Sequence, residues 1–248
     1  MSDNSAIEET ASRLRSEPSI TVLTGAGISA ASGVPTFRGD DGLWDQFDPE
    51  ELASPRGFKQ DPEKVWEWYD QRRRDIDEVE PNRGHEVLGQ WSRRYDKFSL
   101  VTQNVDDLHE RADTRAVIHL HGNIWNVSCW ENCSDSERQW ENRQVPLPQI
   151  PPRCPHCDGL LRPEVVWFGE QLDPDVLEAS QRALNCDLFF TIGTSAEVHP
   201  AAGFIDRASQ QGAHTVEINP DSTSASQIVD TVIQQPAEEA LDQIESLL

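Results

Sequence analysis

Four of the five cysteines in this 248-residue chain fall into two tight pairs, Cys129 with Cys133 and Cys154 with Cys157. Four thiolates complete a tetrahedral zinc shell and leave no position open for water, so a metal held this way organises structure and activates no reactant. The second pair has Cys-x-x-Cys spacing, whereas the first is one residue longer, and His156 is an alternative fourth ligand to Cys133. A disulfide in either pair is the competing chemistry, and a reducing compartment disfavours it. Cys186 stands apart in an apolar run and reads as a buried small hydrophobe.

A second group of residues suits phosphate. The apolar run Ile20 to Leu23 leads into Gly25-Ala26-Gly27-Ile28-Ser29-Ala30, which fits the G-x-G-x-x-A form of a dinucleotide-binding turn. Glycines there let the backbone approach a pyrophosphate at a helix N-terminus. A glycine turn after a strand also serves as a plain tight connection, so these residues alone leave both readings open. No clear acidic residue ends a second strand about 20 residues later, which disfavours an ordinary hydride-transfer dehydrogenase.

The elements that must position these groups follow from apolar spacing. Ser5 to Arg15 has helical spacing, with Ile7, Ala11 and Leu14 on one side. Further strands are expected at Phe98 to Thr102, Val117 to Leu120, Val165 to Phe168, Leu188 to Ile192 and Thr215 to Ile218. Short apolar strands alternating with helices imply an α/β fold with a doubly wound, mostly parallel, Rossmann-like sheet. Two stretches interrupt that rhythm. Residues 37–79 read as a cofactor loop and helical insertion, with a helix from Pro62 to about Glu78. Residues 123–161 are too poor in Leu, Ile and Val to form a core and read as a zinc-binding module. The nucleotide-binding domain then comprises residues 1–36, 80–122 and 162–248.

Charge narrows the partners. The chain carries 44 acidic and 21 basic side chains, a formal charge of -23, and only Lys59, Lys64 and Lys97 are lysines. So negative a surface repels nucleic acid and anionic membranes, and no basic patch is apparent, so neither is an expected partner. Acidic residues scattered through every segment suggest a halophilic surface for concentrated salt, where the Debye length shrinks to about 3 Å near 1 M. Met1 to Ser16 lacks the apolar centre of a signal peptide, and no apolar run approaches the roughly 20 residues that span a bilayer. The expected location is cytoplasmic.

The run from Gly25 to Gly39, including Pro35-Thr36-Phe37-Arg38, closely resembles the sirtuin signature. Further matches follow in that family's order: Thr102-Gln103-Asn104-Val105-Asp106, His119-Leu120-His121-Gly122, the cysteine pairs, Val166-Trp167-Phe168-Gly169-Glu170, and Gly193-Thr194-Ser195. The resemblance covers nearly the whole chain. It implies an NAD-dependent protein-lysine deacylase that releases nicotinamide and O-acyl-ADP-ribose, with NAD as co-substrate and one structural zinc.

By family position, Gly25, Ala26, Gly27, Arg38, Gln103, Gly193, Ser195 and Asn219 would bind NAD. Asn104 and Asp106 would contact the nicotinamide carboxamide, and Phe37 would shield the reacting ribose carbon. His121 would be the general base, taking a ribose hydroxyl proton, a task suited to an imidazole titrating near neutrality. His119 lies outside the matched catalytic position and reads as a hydrogen-bonded histidine at a strand end. The acylated-lysine peptide would add a strand to the segment containing Val166, Phe168 and Gly169, and to the loop Glu197-Val198-His199.

Trp66-Glu67-Trp68-Tyr69-Asp70-Gln71-Arg72 resembles the Tyr-x-x-Arg feature of sirtuins that remove succinyl or malonyl groups. At i and i+3 on a helix, Tyr69 and Arg72 share a face and can hold a carboxylate. The competing reading is a solvated face, since Arg73 and Arg74 extend the charge. Thr36 agrees with the acidic-acyl subgroup, whereas Asp40 stands where that subgroup usually has alanine; its carboxylate would repel a succinyl group unless it points to solvent or is screened by salt, so acidic acyl groups are expected as well as, or in preference to, acetyl. Two rival functions remain: an ADP-ribosyltransferase using the same NAD site, and an NAD-sensing zinc protein without turnover.

Overall fold

The computed structural model describes residues 3–38, 42–133 and 139–248. Nine strands occur among them: β1 (Ile20–Thr24), β2 (Phe98–Thr102), β3 (Val117–His119), β4 (Gly122–Cys129), β5 (Trp140–Glu141), β6 (Leu161–Val165), β7 (Leu188–Ile192), β8 (His214–Ile218) and β9 (Thr231–Ile233). They form a six-stranded sheet ordered β3-β2-β1-β7-β8-β9 and a three-stranded sheet ordered β5-β4-β6. The chain forms two compact units. The larger holds the N-terminal stretch to Thr36, Glu80–Leu120 and Asp173–Leu248; the smaller holds Phe37–Val79 and His121–Leu172.

Every neighbouring pair in the larger unit's sheet is parallel, and Val22 at its centre lies between Leu100 and Phe190. All five residues of β1 are buried, as expected of a parallel strand covered on both faces. Ile20 and Val22 join the main core with Leu100, Phe190, Val216 and the apolar sides of helices Asp3–Leu14, Arg83–Arg94 and Ala237–Ser246. Thr21 alternates to the opposite face, where its hydroxyl donates to the Ala183 carbonyl at 2.5 Å, at the end of helix Pro174–Ala183. Helix Ala202–Gln210 packs against β7 and β8 through buried Phe204 and Ile205. No helix among the described residues is long and apolar enough to cross a membrane.

Two local expectations are corrected. The glycine turn opens a 3-10 helix, Ala26–Ser32, that Gly33 closes in the left-handed region at φ 96°. Gly33 and Pro35 stop this turn before an α-helix can develop, so little macrodipole accumulates for a phosphate. Of the segment expected as a strand at Val165 to Phe168, only Val165 lies in one, as the last residue of β6, which pairs antiparallel with β4 in the smaller unit. There Pro163 stands opposite Val127 on an edge strand, the position where a missing N–H is tolerated.

In the smaller unit, Asp61 caps helix Pro62–Asp77 by accepting from the Lys64 N–H at 3.0 Å. Its inward side follows helical spacing through Val65, Tyr69, Arg72 and Ile76. Trp66 donates its indole N–H to the Leu161 carbonyl at 2.6 Å, and Arg73 Nε donates to the Ile124 carbonyl at 2.9 Å. These bonds tie the helix to β6 and β4. The Arg73 guanidinium sits over the rings of Trp66 and Trp125, 5.2 and 5.8 Å from their centroids, and burial lowers its pKa to about 10.

Candidate active site and zinc centre

Cys129 ends β4, and Cys133, Cys154 and Cys157 are drawn to it so that all four sulfur atoms lie within 4.8 Å of one another. The Cys129–Cys157 and Cys133–Cys154 sulfur separations are 3.6 and 3.8 Å. A tetrahedron with Zn–S bonds of about 2.3 Å has edges of roughly 3.8 Å, so this donor set fits one zinc ion with little adjustment. None of the four is in a disulfide, and each close sulfur contact joins one pair to the other. His156 is exposed beside Trp140 and is not part of the group, so Cys133 is the better fourth ligand.

In the larger unit the expected nucleotide residues gather at the carboxyl ends of the central strands. The strand order reverses between β1 and β7, the topological switch point where open α/β sheets bind ligands. Gly25 and Gly27 follow β1, and Gly193 follows β7 at φ 59°. A Cβ on Gly27 would stand 2.7 Å from Gly193 Cα, and one on Gly193 would stand 2.5 Å from the Ile28 nitrogen. Glycine is therefore demanded first by backbone meeting backbone: the Gly27 N–H donates to the Gly193 carbonyl at 2.8 Å. Ala26 opens the 3-10 turn between them.

Around this junction, Gln103 Nε2 donates to Thr194 Oγ1 at 2.9 Å, and Asn219 Nδ2 donates to the Thr194 carbonyl at 3.1 Å. Ser195 is half-buried next in the chain. Asn104 and Asp106, both buried, converge on Ser29: Asn104 Nδ2 donates to Ser29 Oγ at 3.2 Å, and Ser29 Oγ donates to Asp106 Oδ2 at 3.1 Å. Burial raises the Asp106 pKa to about 6.

Sequence reasoning did not single out the rest of this buried network. His85 Nε2 lies 3.4 Å from Ser29 Oγ, the His85 and His109 rings meet edge to face at 4.9 Å, and His109 Nε2 lies 3.0 Å from Thr24 Oγ1. Burial lowers the His85 pKa to about 4 and that of His109 well below its ordinary value. Of the two, only His85 has a local signature, the reciprocal cap it forms with Asn82 on helix Arg83–Arg94; its contacts with Ser29 and His109 have none. His119 bonds Glu110 and faces the Asn104 carbonyl. Burial opposes its proton, but the Glu110 carboxylate wins and raises its pKa.

The smaller unit holds the remaining expected residues. His121 is its first residue after Leu120, half-buried, and its carbonyl accepts from the Val166 N–H at 2.9 Å. Phe37 stacks against Trp44, with ring centroids 5.3 Å apart, and the Arg72 guanidinium lies 5.8 Å from the Phe37 centroid. Arg38 is exposed. Tyr69 and Arg72 are only 2% and 4% exposed, so the solvated-face reading of this helix is set aside. Phe168 is 39% exposed, its N–H bonds the Ala53 carbonyl at 2.8 Å, and Gly169 follows at φ 85°. Gly39 and Asp40 lie outside the described residues.

Glycine loops at a switch point in one unit and a four-thiolate centre in the other define a zinc-bearing class of Rossmann-like proteins. The Sir2 family profile matches residues 25–200. An NAD-dependent protein deacylase from Aquifex aeolicus is 47% identical over 226 residues, covering 91% of this chain and 93% of the relative. A mutant Sir2 homologue in complex with ADP-ribose superposes with TM-score 0.87 at 44% identity, covering 93% of this chain and 92% of the other. A Sir2 homologue–NAD complex superposes with TM-score 0.85 at 42% identity, covering 98% and 93%. The chain belongs to the Sir2 family.

Proposed function

We propose that this chain is an NAD-dependent protein-lysine deacylase that prefers acidic acyl groups such as succinyl or malonyl over acetyl. The deacylase part is supported by the ordered motifs on a Sir2 fold and by relatives named for that activity. NAD, as co-substrate, supplies the ribose that accepts the acyl group and the nicotinamide that leaves. Gly25, Ala26, Gly27, Arg38, Gln103, Gly193, Ser195 and Asn219 bind its phosphates and adenosine half. Asn104 and Asp106 grip the carboxamide and hold the ring for departure, and Phe37 excludes water from the exposed ribose carbon. His121 removes a ribose hydroxyl proton and so makes that oxygen nucleophilic. Val166, Phe168 and Gly169 receive the substrate peptide along its backbone.

One observation carries the acyl preference: a tyrosine and an arginine are buried side by side on one helix face, with the arginine against Phe37. A guanidinium can hold a carboxylate in bidentate fashion, and does so more strongly away from bulk water. An acetyl group carries no charge for it to read. The acidic surface further supports a cytoplasm rich in salt as the protein's setting.

The test is a panel of matched acetyl-, succinyl- and malonyl-lysine peptides incubated with NAD, at low and at molar salt. The acidic peptides should be processed fastest, and Arg72→Met should lower their kcat/KM by about 10- to 100-fold, the cost of removing a charged hydrogen-bond partner. Equal loss on the acetyl peptide would show that Arg72 supports the fold and does not read the acyl group.

A further inference from the structure

We propose that Trp167 is a positioning residue for acidic acyl groups: its indole N–H fixes the Tyr69 phenol with the hydroxyl proton aimed at the acyl carboxylate. This rests on the Tyr69 and Arg72 reading above. Trp167 Nε1 donates to Tyr69 Oη at 2.9 Å, and both side chains are buried. An indole can only donate, whereas a phenol has one proton and acceptor lone pairs. Trp167 therefore occupies a lone pair and cannot take the proton. Among the described residues the Tyr69 hydroxyl has no acceptor, although an unused donor in a buried site is costly. Burial also pushes the Tyr69 pKa up, so the phenol remains a donor at neutral pH.

The indole is itself held from several sides. Arg162 lies 3.8 Å from its ring centroid and pairs with both oxygens of Glu170 at 2.5 and 2.9 Å. Glu170 Oε2 also accepts from the Trp167 backbone N–H at 2.9 Å, and Phe58 packs on the ring at 5.2 Å. A cation on the ring face draws electron density from the indole and strengthens its N–H as a donor. On either side of Trp167, Val166 bonds the His121 carbonyl and Phe168 bonds the Ala53 carbonyl. One short segment thus carries the proposed peptide edge on its backbone and the phenol's orientation on its central side chain.

The decisive variant is Trp167→Phe, which keeps an aromatic ring and removes the donor, assayed on matched succinyl and acetyl peptides. The succinyl-to-acetyl ratio of kcat/KM should fall about fivefold, the worth of one hydrogen bond, through a raised KM for the succinyl peptide. In a Tyr69→Phe background the same change should leave that ratio where Tyr69→Phe alone put it. A parallel fall on both peptides, or an unchanged ratio, overturns the proposal. Nuclear magnetic resonance tests the bond without altering Trp167: its indole N–H resonance should move upfield in Tyr69→Phe, and an unmoved resonance also overturns it. If Tyr69→Phe and Arg72→Met lower the ratio but Trp167→Phe does not, this inference fails alone. If none of the three lowers it, the acidic-acyl reading fails with it.

Discussion

The two units are built on different physics. Every residue of the main core cluster belongs to the larger unit, and most are aliphatic: Ile20, Val22, Leu88, Leu100, Ile192, Val216 and Leu241 among them. Each such side chain contributes about 1.5–3 kcal/mol when fully buried, and the sum needs no metal. The smaller unit buries Trp66, Trp125 and Trp167 instead, with Arg73 and Arg162 lying over their rings, and it gathers four thiols at one end. Cation–aromatic pairs contribute about 0.5–2 kcal/mol each, whereas a structural zinc contributes about 10–16 kcal/mol. The smaller unit should therefore depend on its metal, and the larger should not.

Removing zinc is the largest test of that contrast. Chelation, or Cys154→Ser, should abolish deacylation and expose the smaller unit to proteolysis while the parallel sheet of the larger unit stays protected from hydrogen exchange. Loss of protection in β1 and β2 together with the smaller unit would break the comparison.

A smaller effect should come from titration within the larger unit. Asp106, raised to about 6, holds its proton in the fold at pH values where the unfolded chain has lost it. Its contribution is present at low pH and is lost as pH rises from about 4 to about 6. His85 and His109 have lowered pKa values, so their contributions run the other way and are lost as pH falls below about 6.5. Asp106→Asn removes the first and keeps the second. Thermal unfolding of the larger unit should then show a gain of about 3 kcal/mol at pH 8 and a smaller one at pH 5. A gain no larger at pH 8 than at pH 5 would contradict the burial of an ionised Asp106.

The same contrast explains what the sequence made legible. Aliphatic periodicity located β2 and β7 residue for residue and β1 all but its last residue, Thr24, because a parallel strand buried on both faces must read as an apolar run. Helix Pro62–Asp77 was announced by a proline at its first turn. The cysteine spacing announced the thiolate centre but left its fourth ligand open, which only the convergence of Cys133 on Cys154 decided. Periodicity could not place β6, whose pairing partner β4 lies more than thirty residues away in sequence. Nor could it find His85, His109 or the Trp167–Tyr69 bond, because contacts between side chains distant in sequence leave no local pattern. The glycine turn was legible as a motif, but that Gly27 and Gly193 make room first for each other emerges only from the fold.

The central claim, NAD-dependent acyl transfer with His121 as base, is tested most directly by quantifying products from the wild type and from His121→Ala. The account predicts one nicotinamide and one O-acyl-ADP-ribose for each acyl-lysine consumed by the wild type. For His121→Ala it predicts a loss of at least about 100-fold in rate, with zinc retained. Turnover surviving that substitution, or ADP-ribose accumulating on protein with the acyl-lysine intact, would contradict it.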